Sequence, residues 1–112
     1  QAPQEDHFAY VFTGLILIPE RGVWEFMTKS DDGSVLTIGD RKVVDNDGSH
    51  ASVMATGRVA LEAGLHPYTL LYFEDYEGQD FSWGWKAPGA EGFEAIPEAN
   101  LRMTDFRGIS FD

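Results

Sequence analysis

The sequence predicts an all-β chain folded as an antiparallel β-sandwich. Three observations predict it. β-Branched and aromatic residues gather in short runs. Turn signals rich in glycine separate those runs. No segment keeps a 3.6-residue apolar period over three turns, so no long amphipathic helix is expected. Seven or eight runs at short spacing favour a sandwich over a barrel.

The elements follow in order. Phe8, Tyr10 and Phe12 alternate, and Leu15-Ile16-Leu17-Ile18 extends them into a strand covered on both faces. Pro19-Glu20-Arg21-Gly22 is a turn. From Val23 to Lys29, Trp24, Phe26 and Thr28 alternate with Val23, Glu25 and Met27. The runs 35–38 and 42–45 flank Gly39-Asp40, a hairpin turn. Asp45-Asn46-Asp47-Gly48 reads as a tight polar turn. A strand over 58–62 follows, then the turn Ala63-Gly64 and a strand over 66–76. Phe81, Trp83 and Trp85 share one face of the next strand, and Trp83 and Trp85 are expected in the core. Ala87-Pro88-Gly89 breaks the chain. The remainder is expected to be loop, with one short strand or turn near 96–101 and a boundary after about Met103. Residues 1–7 read as a flexible leader, and 8–112 as a single domain. There is no internal repeat.

Charge narrows the partners. Nineteen Asp and Glu stand against eight Lys and Arg, a formal net charge of −11. Such a surface repels phosphate backbones and anionic headgroups, which argues against nucleic acid and against membranes. It suits cations, or ligands held through a cation. No apolar run approaches the roughly 20 residues of a membrane span. Cysteine is absent, so disulfides, thiolate metal sites and cysteine nucleophiles are excluded.

Two acidic segments are candidate cation sites. In Ser30-Asp31-Asp32-Gly33-Ser34, neighbouring carboxylates share one cation only if the backbone reverses between them, as a cis linkage would allow. The plain alternative is an Asp-Asp-Gly turn. The segment Glu74-Asp75-Tyr76-Glu77-Gly78-Gln79-Asp80 offers four carboxylates and, as a loop, uncommitted carbonyls. Ca²⁺ takes about 6–8 such oxygens. Its plain alternative is a solvated hairpin tip. Neither segment has the twelve-residue EF-hand pattern.

Among the aromatics Trp24, Tyr76, Trp83 and Trp85, Tyr76 is the one left to face a ligand. The histidines His7, His50 and His66 show no metal spacing, and structural roles are expected. Asp47, Ser49 and His50 lie too close in sequence to align a triad, and no nucleophile elbow is present. No glycine spacing matches a phosphate loop. Carboxylate-based glycoside hydrolysis would need a deeper cleft than a sandwich of this size offers. The chain is expected to be no enzyme.

The pieces together resemble the PA-fourteen family, the fold of protective-antigen modules, flocculins and adhesins. The resemblance rests on Phe12-Thr13-Gly14-Leu15-Ile16, on Gly22-Val23-Trp24-Glu25-Phe26, and on the stretch from Ser30-Asp31-Asp32-Gly33 to Ile38. It continues through Val43-Val44-Asp45-Asn46-Asp47-Gly48, the run 57–66, Leu71-Tyr72-Phe73-Glu74, Phe81-Ser82-Trp83-Gly84-Trp85 and Pro88-Gly89. It covers roughly residues 8–101, and many short motifs in order are more specific than any one.

The resemblance implies an antiparallel, jelly-roll-like β-sandwich of the protective-antigen and flocculin type. From the lectin-type members it also implies Ca²⁺ on an Asp-cis-Asp pair, matched by Asp31 and Asp32. The later loop that completes that site corresponds to 74–80, where Gly78, Gln79 and Asp80 would contribute. Fungal lectins of the family use an Asn there, and none occurs between Asn46 and Asn100. The implied function is calcium-dependent carbohydrate binding. Asp31, Asp32 and Tyr76 would contact a monosaccharide or glycan end, within a larger adhesin or carbohydrate-active protein. The expected place is extracellular, at the cell surface or periplasmic. The alternative is a structural or protein-interaction module of the same fold that binds no sugar.

Overall fold

The computed structural model describes residues 7–30, 33–46, 53–74 and 81–111. Eight strands form among them: β1 (His7–Ile18), β2 (Gly22–Ser30), β3 (Gly33–Ile38), β4 (Arg41–Asn46), β5 (Val53–Leu61), β6 (Gly64–Glu74), β7 (Phe81–Lys86) and β8 (Leu101–Phe111). Every pairing is antiparallel. One sheet runs β4-β3-β6-β1-β8 and the other β5-β2-β7. This is the expected sandwich, with one sheet two strands wider than the other.

Alternation decides the interior. On β2, Trp24, Phe26, Thr28 and Ser30 are buried while Val23 and Lys29 are exposed. Ile16 and Ile18 of β1, Leu36 and Ile38 of β3, Val44 of β4, Val59 of β5 and Leu70 of β6 complete the core. Leu15 and Leu17, on the other face of β1, are half-buried. Trp24 and Trp85 meet at 4.7 Å between ring centroids. Both core indoles have a partner for their N–H: Trp24 donates to the Glu20 carbonyl at 3.0 Å and Trp85 to Glu94 Oε2 at 3.3 Å. Buried indoles ordinarily require such acceptors.

The β3–β4 hairpin turns on Gly39 and Asp40, as expected, with Gly39 at φ +64° where a side chain would be strained. Other boundaries differ from the sequence expectation. Asp45 and Asn46 belong to β4 rather than to a turn. Asn46 is buried, and its Nδ2 lies 3.5 Å from the Thr28 carbonyl. β5 starts at Val53, five residues earlier than expected. Its more inward positions 55 and 57 are Ala and Gly, which give no apolar signal. They are small because β4 crosses closely there. β6 spans Gly64–Glu74, shifted toward the N-terminus of the expected 66–76.

β8 is the largest difference, an eleven-residue strand where a loop was expected. It is an edge strand, exposed over 102–108, and a bulge opposite Thr13/Gly14 breaks its period of two. Thr104 Oγ1 donates to the Thr13 carbonyl at 3.2 Å beside that bulge. Asn100 Nδ2 donates to the Leu17 carbonyl at 2.8 Å and fixes the single 3₁₀ turn, Glu98–Asn100, that leads into β8.

Candidate functional site

Register brings three connections to one rim of the sandwich. Ser30, the last residue of β2, pairs with Phe81 at the start of β7 and with Val53 at the start of β5. Gly33, the first residue of β3, pairs with Phe73 near the end of β6. Ser34 pairs with Asn46 at the end of β4. The segments 31–32, 47–52 and 75–80 therefore leave from neighbouring strand ends. Two residues alone carry the chain from β2 in one sheet to β3 in the other.

Beneath this rim the core turns polar. Thr28, Ser30, Ser34 and Asn46 are all buried. Ser34 Oγ donates to Thr28 Oγ1 at 2.9 Å and shares a 3.0 Å hydrogen bond with Ser30 Oγ. These hydroxyls satisfy one another across the two sheets, which removes most of the cost of burying them. They fix both strand ends that deliver the Asp31–Asp32 pair.

Asp31 and Asp32, and Tyr76, Gly78, Gln79 and Asp80, lie outside the described residues, as do the linkage between the two aspartates and the Asp47/Ser49/His50 set. What the described strands contribute is the adjacency of the strand ends from which the segments carrying them leave. Among the described residues no group of three His, Asp or Glu side chains could hold a metal.

The remaining candidates are settled individually. Trp24 and Trp85 are core, at 2% and 3% exposure. His66 Nε2 sits 2.7 Å from the Glu62 carbonyl, a structural contact. Trp83 differs from the expected core tryptophan: it is half-buried and lies 5.7 Å from Tyr68 between ring centroids. Both rings line an open groove of about 440 Å³ on the flank of the sandwich, with Phe12, Glu98, Leu101 and Met103. The sequence reading missed this groove. Three of its lining residues, Glu98, Leu101 and Met103, come from β8 and the turn before it, whose pattern the bulge obscures. Burial pushes the Tyr68 phenol above its ordinary range.

Comparison with known proteins follows from this geometry. The model of the PA14 domain matches residues 1–99. The chain belongs to the PA14 domain family. Domains of this family often bind carbohydrate and occur within larger proteins, and they are typically binding modules rather than catalysts. No curated protein matches the chain. Among solved structures, the PA14 domain of the MpAFP antifreeze protein superposes with a TM-score of 0.73 at 19% identity, covering 81% of this chain and 49% of that one. An anti-sigma factor domain-containing protein from Clostridium clariflavum gives 0.73 at 22% identity, over 82% and 31%. A beta-glucosidase from Kluyveromyces marxianus, solved in complex with glucose, gives 0.63 at 18% identity, over 75% and 11%. The PA14 chain thus spans half or less of each of these proteins. At these identities the likeness concerns the fold.

Proposed function

We propose that this PA14 domain is a calcium-dependent carbohydrate-binding module of a larger extracellular, cell-surface or periplasmic protein. The supporting observation is the shared rim: strand pairing at Ser30, Gly33, Phe73 and Phe81 sets side by side the strand ends that flank 31–32 and 75–80. A net charge of −11 favours a cation there. Asp31 and Asp32 hold the ion, and Gly78, Gln79 and Asp80 complete the protein's share of oxygens. Bound calcium would supply open coordination positions for two neighbouring hydroxyls of a sugar. The two carboxylates accept hydrogen bonds from the remaining hydroxyls, and Tyr76 offers an apolar face. Extracellular calcium modules work with dissociation constants of about 10⁻⁴–10⁻³ M, which suits the proposed location. A shallow site of this kind binds one sugar weakly, and tethering to a larger protein raises the effective concentration.

The test is the melting temperature with calcium and with EDTA, followed by a glycan array under both conditions. Calcium must raise the melting temperature, because a ligand of the native state stabilises it. Array binding must vanish in EDTA and in Asp32→Ala. A calcium-dependent shift with a blank array would favour the structural or protein-interaction module instead. Sugar binding that survives EDTA at full strength would place the lectin site away from the aspartates.

A further inference from the structure

The flank groove carries its own chemistry. Paired residues of adjacent antiparallel strands share a face. Phe12 pairs with Leu70 and with Phe106, and Gly14 pairs with Tyr68 and with Met103. All of these therefore point to the inner face, where Leu70 and Tyr68 are buried. The second sheet is two strands narrower and does not reach β8, so Phe106 stays 49% exposed and Met103 58% exposed. The Phe12 and Phe106 rings meet at 4.8 Å, which leaves a fixed aromatic wall at the edge of the groove.

Polar groups at the same place lack partners among the described residues. Tyr68 is 5% exposed, yet among the described residues its hydroxyl has no hydrogen-bond partner. Among the described residues the Trp83 indole N–H has none either, in contrast with those of Trp24 and Trp85. Glu98 forms no ion pair among the described residues. Buried polar side-chain atoms are ordinarily satisfied, so a buried, unpartnered phenol lining an open groove marks a place for a ligand atom. Two donors and a carboxylate thus surround ring faces. That set fits a molecule with a flat apolar face and a rim of hydroxyls. A purely aliphatic ligand would leave the buried Tyr68 hydroxyl unsatisfied, and an anionic one would meet Glu98 and the net negative charge.

We propose that this groove is a second, metal-independent sugar site that takes one or two pyranose rings. The ring stacks on Trp83 and Phe12, Tyr68 and Trp83 donate to its oxygens, and Glu98 accepts from a hydroxyl. The groove volume, about 440 Å³, falls within the usual range of small-molecule sites. The inference rests on the groove alone and does not need the acidic rim.

The test follows the indole N–H resonances of the three tryptophans in EDTA while methyl β-glucoside, methyl β-galactoside and methyl α-mannoside are added at millimolar concentrations. The expected result is a saturable shift at Trp83 with at least one glycoside, and none at Trp24 or Trp85. Tyr68→Phe keeps the ring and removes the hydroxyl, and should weaken that binding about fivefold, the loss of one neutral hydrogen bond. Asp32→Ala should leave the titration unchanged, which separates this site from the calcium reading. A silent Trp83 with all three glycosides overturns the proposal, as does equal affinity in Tyr68→Phe. So does a concentration-dependent dimer that Phe106→Glu dissolves, since the face would then belong to a second copy of the chain.

Discussion

Ser30 Oγ and Ser34 Oγ lie 3.0 Å apart in the interior, one at the end of β2 and the other near the start of β3. Each belongs to a different sheet, so this hydrogen bond ties the sheets together under the Asp31–Asp32 connection. Ser34 also donates to Thr28 Oγ1, which makes it the hub of the group. Ser34→Ala orphans two buried hydroxyls and should cost about 1–3 kcal/mol. Ser30→Ala together with Ser34→Ala should cost less than the sum of the single changes, because fewer groups are left unpaired. Urea midpoints of the single and double variants test this. Additive losses would mean that the hydroxyls do not act as a unit.

Gly57 presses on β4. A Cβ at this position would fall on the Val43 carbonyl oxygen, and backbone cannot swing aside as a long side chain can. This contact joins β5 of the narrow sheet to β4 at the edge of the wide one. Gly57→Ala should therefore separate that corner and produce one of the most destabilised single variants in the chain. Ala60→Gly, at an exposed position of the same strand, should cost only about 1 kcal/mol through backbone entropy. Thermal unfolding of the pair measures the contrast. Equal melting temperatures would show that β4 moves away freely.

The regular parts of this fold were legible because period-two alternation states burial directly: Trp24, Phe26 and Thr28 alternate in sequence and are all buried. The Gly39-Asp40 hairpin was legible from turn chemistry. β5 was partly hidden because close packing selects Ala and Gly, which carry no apolar signal. β8 was hidden because an exposed edge strand keeps Arg102, Thr104, Asp105 and Arg107 among its apolar residues. The acidic candidates were legible only as sequence, and register alone brings their flanking strands to one rim. Trp83 misled for a physical reason. It shares its face with Trp85, but it sits where the narrow sheet stops covering the wide one.

Trp85 is the sharper core test. It is 3% exposed and touches Trp24 and Phe26, with centroids at 4.7 and 6.2 Å. Trp85→Ala leaves a large cavity, removes the N–H that Glu94 accepts, and should cost about 3–5 kcal/mol. Half-buried Trp83→Ala should cost clearly less. Denaturant unfolding of both variants decides the order. The reverse order would move Trp83 into the core and close the groove.

Tyr68 should make stability fall in alkaline solution. Burial disfavours the phenolate, so its pKa in the folded chain lies above the ordinary value of 10.0. In the unfolded chain the phenol titrates near pH 10. Below that pH both states hold the proton and the contribution of Tyr68 is fully present. As pH rises through the unfolded value and on toward the folded one, the unfolded chain binds fewer protons, and stability declines. Tyr68→Phe has no proton to lose there. The difference in melting temperature between the natural chain and Tyr68→Phe should be flat below about pH 9 and should shift in favour of the variant above about pH 10. Comparison with the variant cancels the other tyrosines and the lysines, which ionise in both proteins. Parallel curves across the whole range would mean that the hydroxyl is solvated when folded, and the groove would lose its principal unpartnered donor.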